Sequence, residues 1–525
     1  MSGSFLRLPA FRVTLAVLLA AGCAALISAP SSPFTARDKA FYASEKDINF
    51  VRPGLEIKIL SAEIAQDGTI RTRFRITDPR QLALDREGIT TPGPVSLSFI
   101  AAHIPKGQTQ FVSYTVRTQT SPITNRSAIQ AAADAPAGTF EKVADGEYIY
   151  TFRTKAPSNL DRSETHAIGV YGSRNLTEFD LGTNFDDDVF QFVPNGSRVE
   201  TVRDVIRTAT CNKCHDQLAF HGGSRRSMQL CNLCHTPQTV DPDTGNTVDM
   251  PVMIHKIHMG RELPSVIAGK HYQIIGFNQT VADYSEVGFP ANTRNCTVCH
   301  DQSTGANAAT QAANLYKPTR AACGACHDDV NFATGENHAN LPQVSDNQCG
   351  TCHQPEGELE FDISIRGAHT IPNKSNMLDG IQYELIRVDN GTAGRQPTVT
   401  FSLKNKAGAP LAPTDFQRLA FVLAGPTTDY TAFQNGYVSE DPTGRISGSG
   451  GTYTYTFQNA IPANARGTYA IGIEGRRDQT VLQGTRKEMT IRYGAPNKVI
   501  YFSVDGSARQ PRRAVVDINK CNACH

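Results

Sequence analysis

Cysteine and histidine recur along this chain in one spacing, Cys-x-x-Cys-His, and that spacing points to one chemistry. The six copies are Cys211, Cys214 and His215; Cys231, Cys234 and His235; Cys296, Cys299 and His300; Cys323, Cys326 and His327; Cys349, Cys352 and His353; and Cys521, Cys524 and His525. Two thiols three positions apart can reach both vinyl groups of one porphyrin, and the next residue can turn its imidazole to the iron. This is the attachment pattern of c-type haem, with the histidine as proximal ligand. Zinc knuckles would use paired cysteines without a histidine directly after every second one. The six copies absorb twelve of the thirteen cysteines. Six haem c groups are therefore expected, and no residue of the motifs is assigned a catalytic role.

The thirteenth cysteine bears on location. Arg7 and Arg12 precede an apolar run from Val13 to Ala21, followed by Gly22 and Cys23. A basic start and an apolar stretch too short to span a bilayer read as an export signal over 1–22. Leu19 to Cys23 resembles a bacterial lipobox, so Cys23 is the expected lipidation site. Attachment to the membrane would then be by lipid anchor only. With 51 basic and 50 acidic residues the balance gives no footprint for nucleic acid.

The elements that must position the haems follow from periodicity. Over 48–200, alternation at Leu55-Ile57-Ile59, Thr72-Phe74-Ile76, Val95-Leu97-Phe99, Val112-Tyr114-Val116 and Tyr148-Tyr150-Phe152 predicts strands of a sandwich or small barrel, without helix. Turns are expected at Asp67-Gly68, Pro92-Gly93-Pro94 and Asp145-Gly146. Residues 201–370 hold five haem motifs but little periodic apolar sequence, so they cannot offset their own conformational entropy. The haems must be the core there, wrapped by short helical turns and loops. From 371 to 505 the β pattern returns as a copy: Tyr453 to Phe457 echoes Tyr148 to Phe152, and Ala470-Ile471-Gly472 echoes Ala167-Ile168-Gly169. Residues 506–525 then begin a second haem region, with Cys521 following Cys211 at the offset at which Phe502 follows Phe192. The expected architecture is multidomain: β domains alternating with mostly irregular, short-helical multihaem domains. The duplication also leads us to expect a longer protein with ten haems, of which this chain ends on the sixth.

Outside the motifs, His221, His255, His258, His271, His338 and His369 lie in or just after the haem-rich region, and only His103 and His166 lie elsewhere. Five irons ligated by histidine on both sides would need five of these six. His255 and His258 are three apart and would share a helix face. The stretches Leu218 to Arg225 (LAFHGGSR), Met253 to Gly260 (MIHKIHMG) and Gly367 to Pro372 (GAHTIP), with the alternating β and haem regions, resemble the outer-membrane decahaem cytochromes of metal-respiring bacteria, the OmcA/MtrC type. The resemblance implies split-barrel β domains and distal ligation by His221, His255, His258, His338 and His369, leaving His271 spare.

It also implies an electron-transfer protein at the cell exterior, exported to the outer membrane. A porin–cytochrome complex would be the donor, and metal oxides, metal chelates or flavins the acceptors. Any enzymatic role would be terminal metal reduction. Two alternatives compete: a periplasmic multihaem enzyme of the nitrite or hydroxylamine type, and a polymerising hexahaem filament. The first needs an open iron position, often marked by lysine in place of the motif histidine; all six motifs here end in histidine. The second is disfavoured by the bulk of two β domains.

Overall fold

In the computed structural model, which describes residues 32–300, 315–522 and 524, the apolar alternation of the first third of the chain becomes ten strands. They are β1 (Glu56–Ile64), β2 (Ile70–Thr77), β3 (Val95–Ile104), β4 (Val112–Ser113), β5 (Val116–Thr120), β6 (Ser127–Ala131), β7 (Thr139–Ala144), β8 (Glu147–Thr151), β9 (Thr165–Asn175) and β10 (Thr183–Phe192). The described residues divide into two compact units. One comprises 32–257 and 269–286; the other comprises 258–268, 287–300 and the residues from 315 onward.

In the first unit β1-β2-β8-β7 form one antiparallel sheet and β10-β9-β3-β4 another. Period-two alternation places Ile59, Phe74 and Tyr150 of the first sheet against Phe99, Ile168 and Val170 of the second, all buried. Phe99 stacks on Tyr150 with ring centres 4.1 Å apart. The sheets are joined along one edge by carboxylates: Asp186 and Asp188 of β10 accept the backbone N–H groups of Ile57 and Ile59 of β1, at 2.6 and 2.7 Å. The opposite parity of the second sheet, Ile100, Ala102, Ile104 and Ala167, packs on Leu230 and Leu233. Those leucines belong to the helix Met228–Cys234, which carries the second haem motif. A Cβ at Gly169 would come within 2.7 Å of both, so glycine is what lets the helix lie this close.

Two local expectations need correction. Val112 to Val116 is not one strand: the amides of Tyr114 and Thr115 both donate to the Ala101 carbonyl, at 3.0 and 3.4 Å, and the chain leaves β3 to pair β5 with β6. A helix, Glu45–Val51, also overlaps the start of the stretch read as pure β. Ser44 caps it through the Asp47 amide, and the wholly buried Arg174 donates to the carbonyls of Val51, Arg52 and Gly54 at its end.

In the second unit the β pattern is repeated by β13 (Gln382–Asp389), β14 (Thr398–Lys404), β15 (Arg418–Ala424), β16 (Tyr437–Glu440), β17 (Ile446–Ser449), β18 (Thr452–Thr456), β19 (Thr468–Val481), β20 (Met489–Gly494) and β21 (Lys498–Ser503). Strands β11 (Gln273–Ile275) and β12 (Val281–Asp283) are a separate small hairpin in the first unit. The order β13-β14-β18-β17 repeats β1-β2-β8-β7, and β21-β19-β15-β16 repeats β10-β9-β3-β4. Even the register slip recurs, between Ile59 and Ser61 in one copy and between Leu385 and Arg387 in the other. Tyr150 donates to Asp134, which also accepts the amides of Arg153 and Thr154; Tyr455 donates to Glu440, which accepts those of Gln458 and Asn459. One buried carboxylate thus holds the turn after the strand in each copy. The copies differ at the β1 edge: where Asp188 seals it, the second copy has Lys498 beside an open cleft of about 460 Å³ that also includes Glu384 and Lys404.

The haem-motif segments have little apolar core of their own. Among the described residues the one cluster made within them is Leu218, Met228 and Met250. Among the described residues their α-helices run from four to ten residues, the longest being Met250–Met259.

Candidate haem-ligating site

Three motifs sit where a short helical turn ends on the motif histidine, His235, His327 and His353. The second motif is most regular: Ser227 caps the helix Met228–Cys234 through the Leu230 amide, while Asp187 accepts the Ser227 amide at 2.9 Å and ties the helix start to β10. Thr319 caps Arg320–Cys326 in the same way, and Cys349–Cys352 forms a single turn before His353. The first motif begins on Thr208–Cys211, whose Thr208 hydroxyl accepts the Met228 amide. Cys296–Val298 is a tight turn leading to Cys299 and His300. Cys521 lies exposed on Ile518–Asn522, with Cys524 beyond it. Cys23 and His525 fall outside the described residues.

Three motif histidines are paired with a histidine from elsewhere in the sequence. His221 and His235 have ring centres 6.0 Å apart, His327 and His369 6.1 Å, and His338 and His353 6.1 Å. That spacing suits a metal between two imidazoles: two metal–nitrogen bonds of about 2.0 Å, with about 1.1 Å from each nitrogen to its ring centre, span about 6 Å. His235 Nδ1 donates to the Val248 carbonyl at 2.9 Å, His338 Nδ1 to Leu341 at 2.8 Å and His369 Nδ1 to Ile365 at 2.7 Å. A carbonyl can only accept, so each of these rings carries its proton on Nδ1 and presents the Nε2 lone pair. Burial pushes His235 down to about 4 and lowers His327; for His221 burial is reinforced by the Arg225 charge. The imidazoles of His235, His327 and His221 are thus neutral lone-pair donors at neutral pH.

The thiols complement this. Burial raises Cys231 to about 12 and Cys234 to about 11, with Arg225 offsetting only part at Cys234, and it also raises Cys296 and Cys323. A nucleophilic or zinc-binding thiolate would need the opposite environment. Neutral paired thiols beside a neutral imidazole fit thioether attachment of haem c.

The remaining predicted ligands, His255 and His258, lie on the helix Met250–Met259, and His258 meets the edge of Phe289 at 5.3 Å. His271 is different. Its side chain is 65% exposed and its Nδ1 lies 2.8 Å from the Asp283 carboxylate. The partners that set ring orientation, the carbonyls of Val248, Leu341 and Ile365, were not foreseen. Backbone acceptors leave no mark in side-chain sequence.

Residues 203–364 match the family described as outer membrane cytochrome MtrC/MtrF-like, domains II/IV. Multiheme cytochrome MtrC of Shewanella baltica (strain OS185) is 26% identical over 286 residues, covering 53% of this chain and 37% of that protein. The chain thus matches little more than a third of that relative's length. Among solved structures, the outer membrane decaheme cytochrome OmcA superposes with a TM-score of 0.64 at 19% identity, covering 90% of this chain and 75% of that one. MtrC from Shewanella baltica OS185 gives 0.60 at 20% identity, covering 90% and 74%. These structures share the β architecture with haem-bearing segments described above.

Proposed function

We propose that the chain is an outer-membrane multihaem cytochrome of the OmcA/MtrC type, which its match over 203–364 and its fold support, and that it conducts electrons at the cell surface to extracellular acceptors. The observation that carries this reading is the set of three histidine pairs at 6.0–6.1 Å. Haem c, once bound, supplies reversible one-electron chemistry at its iron. The chain's part would be to supply a pair of imidazoles to each haem, as His221 with His235, His327 with His369 and His338 with His353 would do. That arrangement favours electron transfer over bond-making catalysis.

The pairs support a ligand scheme in which His221 serves with His235, His369 with His327, and His338 with His353. His255 and His258 are then left for the irons of His215 and His300. The Nδ1–H bonds to backbone carbonyls hold the rings in orientation and raise their basicity as ligands. Cys23 anchors the chain by lipid, a porin–cytochrome complex delivers electrons, and ferric or manganese oxides, metal chelates or flavins accept them.

The test is direct. The purified, reduced chain mixed rapidly with ferric citrate or flavin mononucleotide should reoxidise in step with acceptor reduction. Protease added to intact cells should remove the cytochrome, and Cys23→Ser should release it with all haems attached. A reduced protein inert to both acceptor classes would refute the conduit reading. Resistance to the protease would refute its surface location.

A further inference from the structure

The two histidines that the haem region does not use, His103 and His166, are 63 positions apart but directly opposite each other in the register of β3 and β9. They share the parity of Phe99, Ala101, Ile168 and Val170, so they sit at the end of the first sandwich, on its inner side. Their rings lie 5.5 Å apart, and Glu164 closes the group with a carboxylate oxygen 2.7 Å from His103 Nδ1. One ligand atom from each of the three lies within 4.8 Å of the others. His166 is wholly buried and its Nε2 has no hydrogen-bond partner. Tyr114 is 3.4 Å from its Nδ1, and the Asp161 backbone offers the ring a weak hydrogen bond that only partly offsets burial, while none of standard geometry reaches Nε2. A polar nitrogen sealed from water in this way is costly unless something binds it.

The fold does not demand these residues. In the duplicate, the register of Ala424 with Ala470 places Gly425 opposite Tyr469, where His103 and His166 stand in the first copy. A Cβ on Gly425 would lie 2.3 Å from the Tyr469 ring, so one buried aromatic ring covers a bare glycine. Two residues before Tyr469 is Gly467, in the place of Glu164. The same corner is thus closed by one tyrosine in one copy and by two imidazoles and a carboxylate in the other.

We propose that His103, Glu164 and His166 form a binding site for a divalent transition ion of the zinc class, separate from the haems. Two imidazoles and one carboxylate suit zinc and its neighbours, whereas calcium and magnesium take oxygen-rich shells. Burial holds His166 neutral at physiological pH, with its pKa down to about 4. Glu164 supplies the negative charge, and its second oxygen is held by the Lys106 amide at 2.8 Å. The side chains of His103 and Glu164 are 20% and 12% exposed, which gives the ion an entry path and leaves a fourth position to water.

Equilibrium dialysis of the haem-loaded full chain against zinc chloride at micromolar free metal, followed by zinc-edge X-ray absorption, avoids interference from haem iron. One equivalent should bind with a four-coordinate shell of two imidazole nitrogens and two oxygens, one from Glu164 and one from water, at about 2.0–2.2 Å. The double variant His103→Gly with His166→Tyr copies the arrangement of the second β region. It should lose that equivalent while haem content and Soret spectrum stay unchanged. Glu164→Gln keeps an acceptor for the Lys106 amide and should weaken binding about 10-fold or more. An unchanged zinc stoichiometry in the double variant, wild-type affinity in Glu164→Gln, or no zinc retained by the wild type would each overturn the proposal.

Discussion

The β regions and the haem-motif segments solve the same problem, closing a chain around a core, with different materials. In the second β region Phe401, Phe421, Tyr455 and Phe457 are all at most 1% exposed and belong to one cluster of twenty-four buried residues. The cluster made within the haem-motif segments contains three. The contrast implies that the β regions fold on their own side chains, whereas residues 201–370 hold shape only around their porphyrins. It also explains the lengths of the described helices: a helix of four to ten residues is marginal in water by itself, but it suffices to hold thiols and imidazoles against a macrocycle.

The largest effect that would break this comparison comes from exporting the chain without haem attachment. Residues 201–370 should then be degraded rapidly by protease, while fragments containing 48–200 or 371–505 persist with β-type circular dichroism. A haem-free chain as resistant throughout as the holoprotein would show that side chains alone hold the middle segment. Next in size is a pair of truncations. Phe401→Ala should destabilise its β region by about 3–5 kcal/mol, read from the denaturation midpoint of the far-ultraviolet signal. Leu218→Ala, in its cluster of three, should cost nearer about 2 kcal/mol.

A smaller, pH-dependent effect sharpens the view of the first β region. Burial raises Asp186 to about 6, with the Ile57 amide pulling it back and the charges of Asp187 and Asp188 adding to the rise. The folded state therefore holds this proton more tightly than the unfolded chain. Stability from this group is full below pH 3.8 and is lost as pH rises through 6. The loss is on the order of 2–3 kcal/mol. Asp186→Asn keeps an acceptor for the Ile57 amide and should remove that part of the decline. Equal slopes of stability between pH 4 and pH 7 in variant and wild type would contradict the burial argument.

Much of this was legible in residue types and spacing. The six Cys-x-x-Cys-His units, the strands around Ile59, Phe74, Phe99 and Tyr150, and the internal repeat all depend on local patterns. What was not legible depends on register or on equivalence between unlike residues. Asp134 and Glu440 do the same work with side chains of different length, so alignment by identity passes over them. The break after Ser113 arises because two successive amides share the Ala101 carbonyl, a backbone event that alternating Val112, Tyr114 and Val116 conceal. The matching of His221, His369 and His338 to particular motifs required coordinates, because loops of differing length intervene. His103 and His166 stood out only as histidines apart from the rest; their meeting depends on how β3 and β9 pair.

The central claim, that histidine on both sides closes every iron of residues 201–370, is tested most directly by low-temperature electron paramagnetic resonance of the oxidised full chain. Spin quantitation should account for the haems of this segment as low-spin, bis-imidazole iron. His338→Ala, His369→Ala and His221→Ala should each convert one haem's worth of intensity to high spin, whereas His271→Ala should convert none. A high-spin signal equivalent to a whole haem in the wild-type chain, or its appearance on replacing His271, would contradict the account.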